Sequence, residues 1–319
     1  MEESSTERTA TELIDEPAGA DGTSGPGARA GETAEVVPVS VAAAEPTPAG
    51  CPGCGGTDPF RAGSAHVYAV GRIEPRFPTL GAEKEFAQVT GRSEVTGLTD
   101  REALQAVLAQ PGNRYLARQL CWVLTIQGLE TYLLYPRDPL DLSQLVEAVR
   151  PRPDPGDLDV VIGTAGPIAP PEACNGLAVP VVAFDQIYSF DRRTLLGSLP
   201  VPDGQDEDRY RSTAEEVLDL VLQLSDNAGA ADEHRAVNYL AVRYPAVYAR
   251  AAEAFGRNQS LAAVEVRPSR MGGGGRTIVD VVFSYTGRDT DVTEKAFVRV
   301  DVTERFPFLV TRLQPYFER

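Results

Sequence analysis

The first fifty residues contain no Phe, Tyr or Trp and set ten acids against two bases, so a sixth of the chain carries half of its net charge of −16. Rich in Ala, Gly, Ser, Thr and Pro, this stretch cannot bury enough apolar surface to offset the entropy of ordering it. The sequence therefore predicts a disordered acidic tail over 1–50 and confines folding to 51–319. With a hydrophobic content of 42% over 319 residues, enough chain remains to bury a substantial core.

Acids outnumber Lys and Arg by 46 to 30, and the basic residues form no cluster. Phosphate backbones are bound by clustered Lys and Arg, so nucleic acid is not an expected partner. No window approaches the roughly 18 consecutive apolar residues of a membrane span, and no basic-then-apolar secretory signal opens the chain. A cytoplasmic protein without a membrane partner is expected.

Periodicity organises the rest. The stretch 65–75 alternates like a strand, and helical patterns follow at Ala82–Val89, from Asp100 behind a cap at Thr99 or Asp100, and over 113–120. CWVLTIQGLETYLLYP (121–136) reads as two strands around Gly128, followed by a helix at Leu142–Val149. LDVVIG (158–163) and VPVVAFD (179–185) are almost continuously apolar, which predicts strands covered on both faces. Residues 200–212 read as a polar linker. Helices are expected over Ser212–Asp226 and Asp232–Phe255, the second broken near Pro245. The chain ends in three strands, AVEVRPS, TIVDVVFSYT and KAFVRVDVT, the first two joined by a MGGGG loop. The fold class is α+β (mixed α/β): a single domain with a helical middle and an antiparallel C-terminal meander.

Chemistry is concentrated in four cysteines. Cys51-Pro-Gly-Cys54-Gly-Gly spells a zinc knuckle, since a two-residue gap turns both thiolates toward one point and the following glycine permits the tight turn. A closed tetrahedral site needs four ligands, and Cys121 and Cys174 are the only other thiols. One structural zinc per chain, held by Cys51, Cys54, Cys121 and Cys174, is expected, stapling the domain at its N-terminal boundary. Four thiolates leave no coordination position for water or substrate. The alternatives are a zinc shared between two chains, a redox C-x-x-C pair, and buried inert thiols. His66 and His234 are the two histidines; both read as structural, His234 as a first-turn residue beside an Asp232 cap. No G-x-S-x-G, H-E-x-x-H or phosphate-loop motif occurs.

CPGC, HVYAVGRIEPRFPTLGAEKEFAQVTGR, RQLCWVLTIQGLETYLLYPRDP, DVVIGTAGPIAPPEACNGLAVPVVAFDQIYSF, DNAGAADEHRAVNYLAVRYP and DVTEKAFVRVDVTERFPFLVT together closely resemble the C-terminal domain of cyanobactin maturation proteases of the PatG type. The resemblance spans about 51–319. That domain has no assigned activity, and in the family a subtilisin-like protease or macrocyclase precedes it. Here an acidic tail stands in that place, so Ser/His/Asp catalysis does not carry over, and a stand-alone accessory domain is expected. The resemblance matches the family's cysteines to Cys51, Cys54, Cys121 and Cys174, and it is compatible with a homodimer. The expected function is a non-catalytic, zinc-binding accessory domain of ribosomal peptide natural-product maturation. It would bind a precursor peptide or a partner enzyme, with an exposed strand edge of the meander as one means of taking up extended peptide. The competing reading is a hydrolase or redox enzyme using Cys51/Cys54 or His234.

Overall fold

The computed structural model describes residues 66–90, 100–273, 275–290 and 292–317. The expected tail (1–50) and the knuckle (51–56) lie outside these residues. Strand β1 (His66–Arg76) is the hub of the first sheet. It pairs antiparallel with β4 (Asp157–Ile168) from His66↔Thr164 to Gly71↔Asp159, then with β2 (Cys121–Ile126) from Arg72↔Thr125 to Arg76↔Cys121. β2 turns into β3 (Leu129–Pro136) through Gln127 and Gly128, at φ 50° and 83°. β3 runs parallel to β5 (Pro180–Asp191), and β5 runs antiparallel to β4, so the order β1-β2-β3-β5-β4 closes into a barrel. One parallel pair, with α4 (Leu142–Ala148) between β3 and β4, is the connectivity of an OB-type Greek-key barrel.

Alternation along β1 sends its buried residues, Val67–Gly71 and Ile73, to two different cores. Val67, Ala69 and Ile73 face the barrel interior with Trp122, Leu124, Tyr132, Leu134, Val182 and Phe184. The interior is plugged by Phe86 of α1 (Leu80–Val89), Leu108 of α2 (Asp100–Leu108), Leu116 of α3 (Arg114–Gln119) and Leu145 of α4. Tyr68 and Val70 face outward with Val160 and Ile162 of β4 into a second core. The strands expected at 158–163 and 179–185 are thus covered on both faces. Each runs well past the expected span, because their mutual pairing continues through polar residues such as Ser189 and Asp191.

The second core is formed by α5 (Arg192–Gly197), α6 (Glu207–Leu224), α7 (Asp232–Arg243) and α8 (Ala246–Gly256). Tyr210, Ala214, Val217, Leu218 and Val221 place one stripe of α6 in it. α6 starts at Glu207, ahead of the expected Ser212. Asp206 caps it by accepting the Arg209 N–H at 2.9 Å, and Glu207 and Asp208 suit the positive end of the helix dipole. The expected break at Pro245 separates α7 from α8. Beyond them lies the expected antiparallel meander of β6 (Gln259–Pro268), β7 (Ile278–Gly287) and β8 (Thr293–Asp301), with the short strands β9 (Phe308–Leu309) and β10 (Gln314–Pro315) on the far side of β8.

Backbone bonds tie barrel to helices. The Tyr68 and Val70 N–H groups donate to the carbonyls of Gly229 (3.1 Å) and Asn227 (2.8 Å), and fully buried Asn238 donates from Nδ2 to the Tyr68 carbonyl at 2.9 Å. Arg150, just past α4, reaches Asp157 and Asp159 at 3.2 Å each and clamps the base of β4. Burial holds the Asp159 carboxyl above its usual range, against the pull of Arg150.

Where β1 changes partner, a Cβ on Gly71 would lie 2.6 Å from the Thr125 carbonyl oxygen and 2.9 Å from Ile126 Cγ1. Gly71→Ala is expected to cost about 2 kcal/mol, read as a lower urea midpoint with an unchanged slope. Asp191 caps α5 by accepting the Thr194 N–H at 2.8 Å and the Thr194 hydroxyl, and these bonds hold its carboxyl below the usual range. A carboxylate with a depressed folded pKa stabilises above the unfolded value and loses that contribution as pH falls through the folded one. Thermal unfolding should therefore show Asp191→Ala about 1 kcal/mol less stable at pH 7, with the gap closing below about pH 3.9.

Candidate functional site

Cys121 opens β2, and Cys174 ends the helical turn Pro171–Cys174 in the β4–β5 connection. They are 53 residues apart in sequence, yet their Cα atoms are 5.8 Å apart and their sulfurs are bonded to each other. Strand alternation sets one half of this meeting. Trp122 and Leu124 fill the barrel, with Trp122 Nε1 donating to the Ala117 carbonyl at 2.9 Å, so Cys121 and Val123 face outward.

The β4–β5 connection sets the other half. It folds back over the outer wall of β2, β3 and β5, where Ala169, Cys174, Leu177 and Val179 cover Val123, Leu133 and Val181. The Ala169 N–H bonds the Val179 carbonyl at 2.8 Å and closes the loop at its base. After Cys174 the chain reverses through Asn175 (φ 46°) and Gly176 (φ 89°). Gly176 N–H donates to the Pro171 carbonyl at 2.7 Å, and Leu177 N–H to that of Cys174 at 2.9 Å. Both cysteines are buried, and Cys121 Sγ lies 3.5 Å from the Ala173 carbonyl oxygen.

A cleft of about 270 Å³ opens beside Cys174, between Arg76 at the end of the barrel's first strand and Phe77 after it, Glu130 of β3, and Asn175–Leu177. Arg76 and Glu130 are ion-paired there. No sequence motif marks that pair. Asn175-Gly176 is a turn signal, and beside the two cysteines it is what the sequence shows of this corner. In OB-type barrels the β2–β3 wall and the β4–β5 loop form the ligand face; here that loop lies on the wall itself.

Bonded to each other the two sulfurs offer no thiolate; reduced, they would supply half of a four-thiolate zinc shell. Among the described residues, no group of three or more His, Cys, Asp or Glu side chains gathers for a metal. A closed metal site at this corner would need ligands beyond the described residues. Cys51 and Cys54, the other two candidates, lie outside the described residues.

The histidines are placed apart from this corner. His66 begins β1, where burial and the charges of Arg235 and Arg305 lower its pKa despite Glu304 and Asp232. His234 accepts the Asp226 N–H at Nδ1, at 3.0 Å, so that nitrogen holds the turn before α7. In the second sheet β6 is an edge strand, with no further strand beside it among the described residues. No described helix is long and apolar enough to cross a membrane.

Comparison with known proteins agrees with this architecture. The family described as PatG Domain matches residues 66–169, essentially the barrel through β4, and the one described as PatG C-terminal matches residues 204–316, the helices and meander. Among solved structures the chain is similar to one described as PatG Domain of Unknown Function, at 19% identity and a TM-score of 0.65, covering 79% of this chain and 99% of that one. At that identity the likeness is one of fold. No curated protein matches the chain.

Proposed function

Because the chain belongs to the PatG-type family of domains, we propose that it is a non-catalytic accessory module of cyanobactin-like peptide maturation, stapled by one zinc and serving to bind a precursor peptide or a partner enzyme. The observation that carries the staple is the meeting of Cys121 and Cys174 on the outer barrel wall, brought together from a strand start and a loop. Cys51 and Cys54 would complete a sulfur-only shell, with Cys121 and Cys174 as reduced thiolates. A zinc so held supplies rigidity: it would fasten the β4–β5 loop and the segment preceding β1 to the wall of β2. Its thiolates would leave no open position for Lewis-acid chemistry.

The edge of β6 supports the binding role. An extended segment can add to a free strand edge through main-chain hydrogen bonds, whatever its side chains. Maturation modules that must tolerate varied peptide cores are well served by that kind of recognition. A homodimer across the same edge is the alternative use of the surface.

The bonded sulfurs favour a second reading, in which Cys121 and Cys174 close on each other and strap the loop to β2 without metal. The two readings separate on metal and thiol counts in protein purified anaerobically. The zinc staple predicts one zinc per chain, all-sulfur coordination by X-ray absorption, four titratable thiols after chelation, and loss of the metal in Cys51→Ser/Cys54→Ser. Metal-free protein with two titratable thiols would refute it in favour of the strap.

A further inference from the structure

The β4–β5 connection is held to the barrel wall unevenly. Among the described residues, the main-chain hydrogen bonds of 170–178 stay inside the segment. The Ala173 N–H donates to the Pro170 carbonyl at 2.9 Å, that of Gly176 to Pro171 and that of Leu177 to Cys174. The 3.5 Å contact of Cys121 Sγ with the Ala173 carbonyl oxygen is the segment's one polar contact with a neighbouring strand among those residues. Apart from the bond between Cys121 and Cys174, apolar contact through Ala173 and Leu177 seats it on the wall. Both of those side chains are only half-buried, and Pro171, Glu172, Asn175 and Gly176 are exposed.

Beneath the segment lie Val123 of β2 and Leu133 of β3, at 0% and 1% exposure. With the two cysteines they form a small cluster separate from both main cores, so this patch of wall is kept dry by the segment above it. Docking such a segment costs backbone entropy, and a pair of half-buried side chains returns little of it. A covalent bond to the wall removes most of that cost, because the segment can no longer diffuse away. In OB-type barrels the same wall takes the ligand.

We propose that the Cys121–Cys174 bond is a redox latch: cutting it lets the segment lift and uncovers the apolar wall of β2 and β3. The reductant is a dithiol. One of its thiolates attacks a sulfur of the pair, the bond between Cys121 and Cys174 breaks, and a mixed disulfide forms; the second thiol then displaces the protein sulfur. Two electrons and two protons pass to the protein, which ends with two thiols, while the dithiol ends as a disulfide. A small oxidised disulfide runs the same exchange in reverse and closes the latch. The inference goes beyond the binding role proposed above, since it governs a face other than the β6 edge. It also stands apart from the zinc staple, because it concerns the segment when no metal is bound.

The test uses the full chain carrying Cys51→Ser/Cys54→Ser, in which Cys121 and Cys174 are the remaining thiols. Hydrogen exchange is compared before and after dithiothreitol, with a chelator present throughout so that zinc cannot replace the bond. Losing a crosslink weakens the whole fold somewhat, so the amides of Leu124 and Val161 serve as the measure of that shared loss. Gly176 and Leu177 should lose at least about tenfold more protection than these two, and their exchange should no longer depend on denaturant. Fluorescence of anilinonaphthalene sulfonate should rise on reduction, and oxidised glutathione should restore the starting state. Cys174→Ala should exchange like the reduced chain with or without dithiothreitol, its unfolding midpoint confirming that it folds. Unchanged exchange at Gly176 and Leu177 would overturn the latch, since apolar contact alone would then hold the segment. An equal loss at all four amides would overturn it too, by making the bond a staple of the whole barrel, as would unchanged dye fluorescence or a segment that does not reclose. Zinc content and precursor binding of the wild-type chain decide the readings above and are independent of this result.

Discussion

A single strand that serves two ladders and two cores holds this molecule together. β1 leaves β4 for β2 at Gly71, and that change of partner closes five strands into a barrel. The same strand turns Tyr68 and Val70 outward, where they meet the helices and, through them, the meander. Its N–H groups bond the carbonyls of Asn227 and Gly229 in the turn between α6 and α7. Barrel and helical layer consequently share apolar packing and main-chain hydrogen bonds, which makes their stabilities interdependent.

Function follows from which walls this arrangement leaves open. Among the described residues the interior is filled by side chains of the strands and of α1–α4. Its β2–β3 wall is roofed by the β4–β5 loop, and Cys121 and Cys174 meet beneath that roof. The bond between them ties that loop to the start of β2. β6 ends its sheet with no further strand beside it among the described residues.

Much of the secondary structure was legible because it is local. The hairpin around Gly128, the break at Pro245 and the three C-terminal strands arise from turn residues and alternation. The start of α6 was hidden because its cap, Asp206, sits among other acids that read as a linker. Barrel closure was not legible: the parallel β3–β5 pairing joins Leu133 to Val181, and nothing local in either segment specifies the other. The cysteines could be counted but not placed, and the structure places two of them.

Native-state hydrogen exchange tests the shared core most directly. The amides of Tyr68 and Val70, of Leu124 in β2 and of Val281 in β7 should all exchange with one free energy, equal to that of global unfolding, and with a common denaturant slope. Barrel amides that stay protected after the meander has opened, or the reverse, would contradict a core built around β1 and show two units that fold apart.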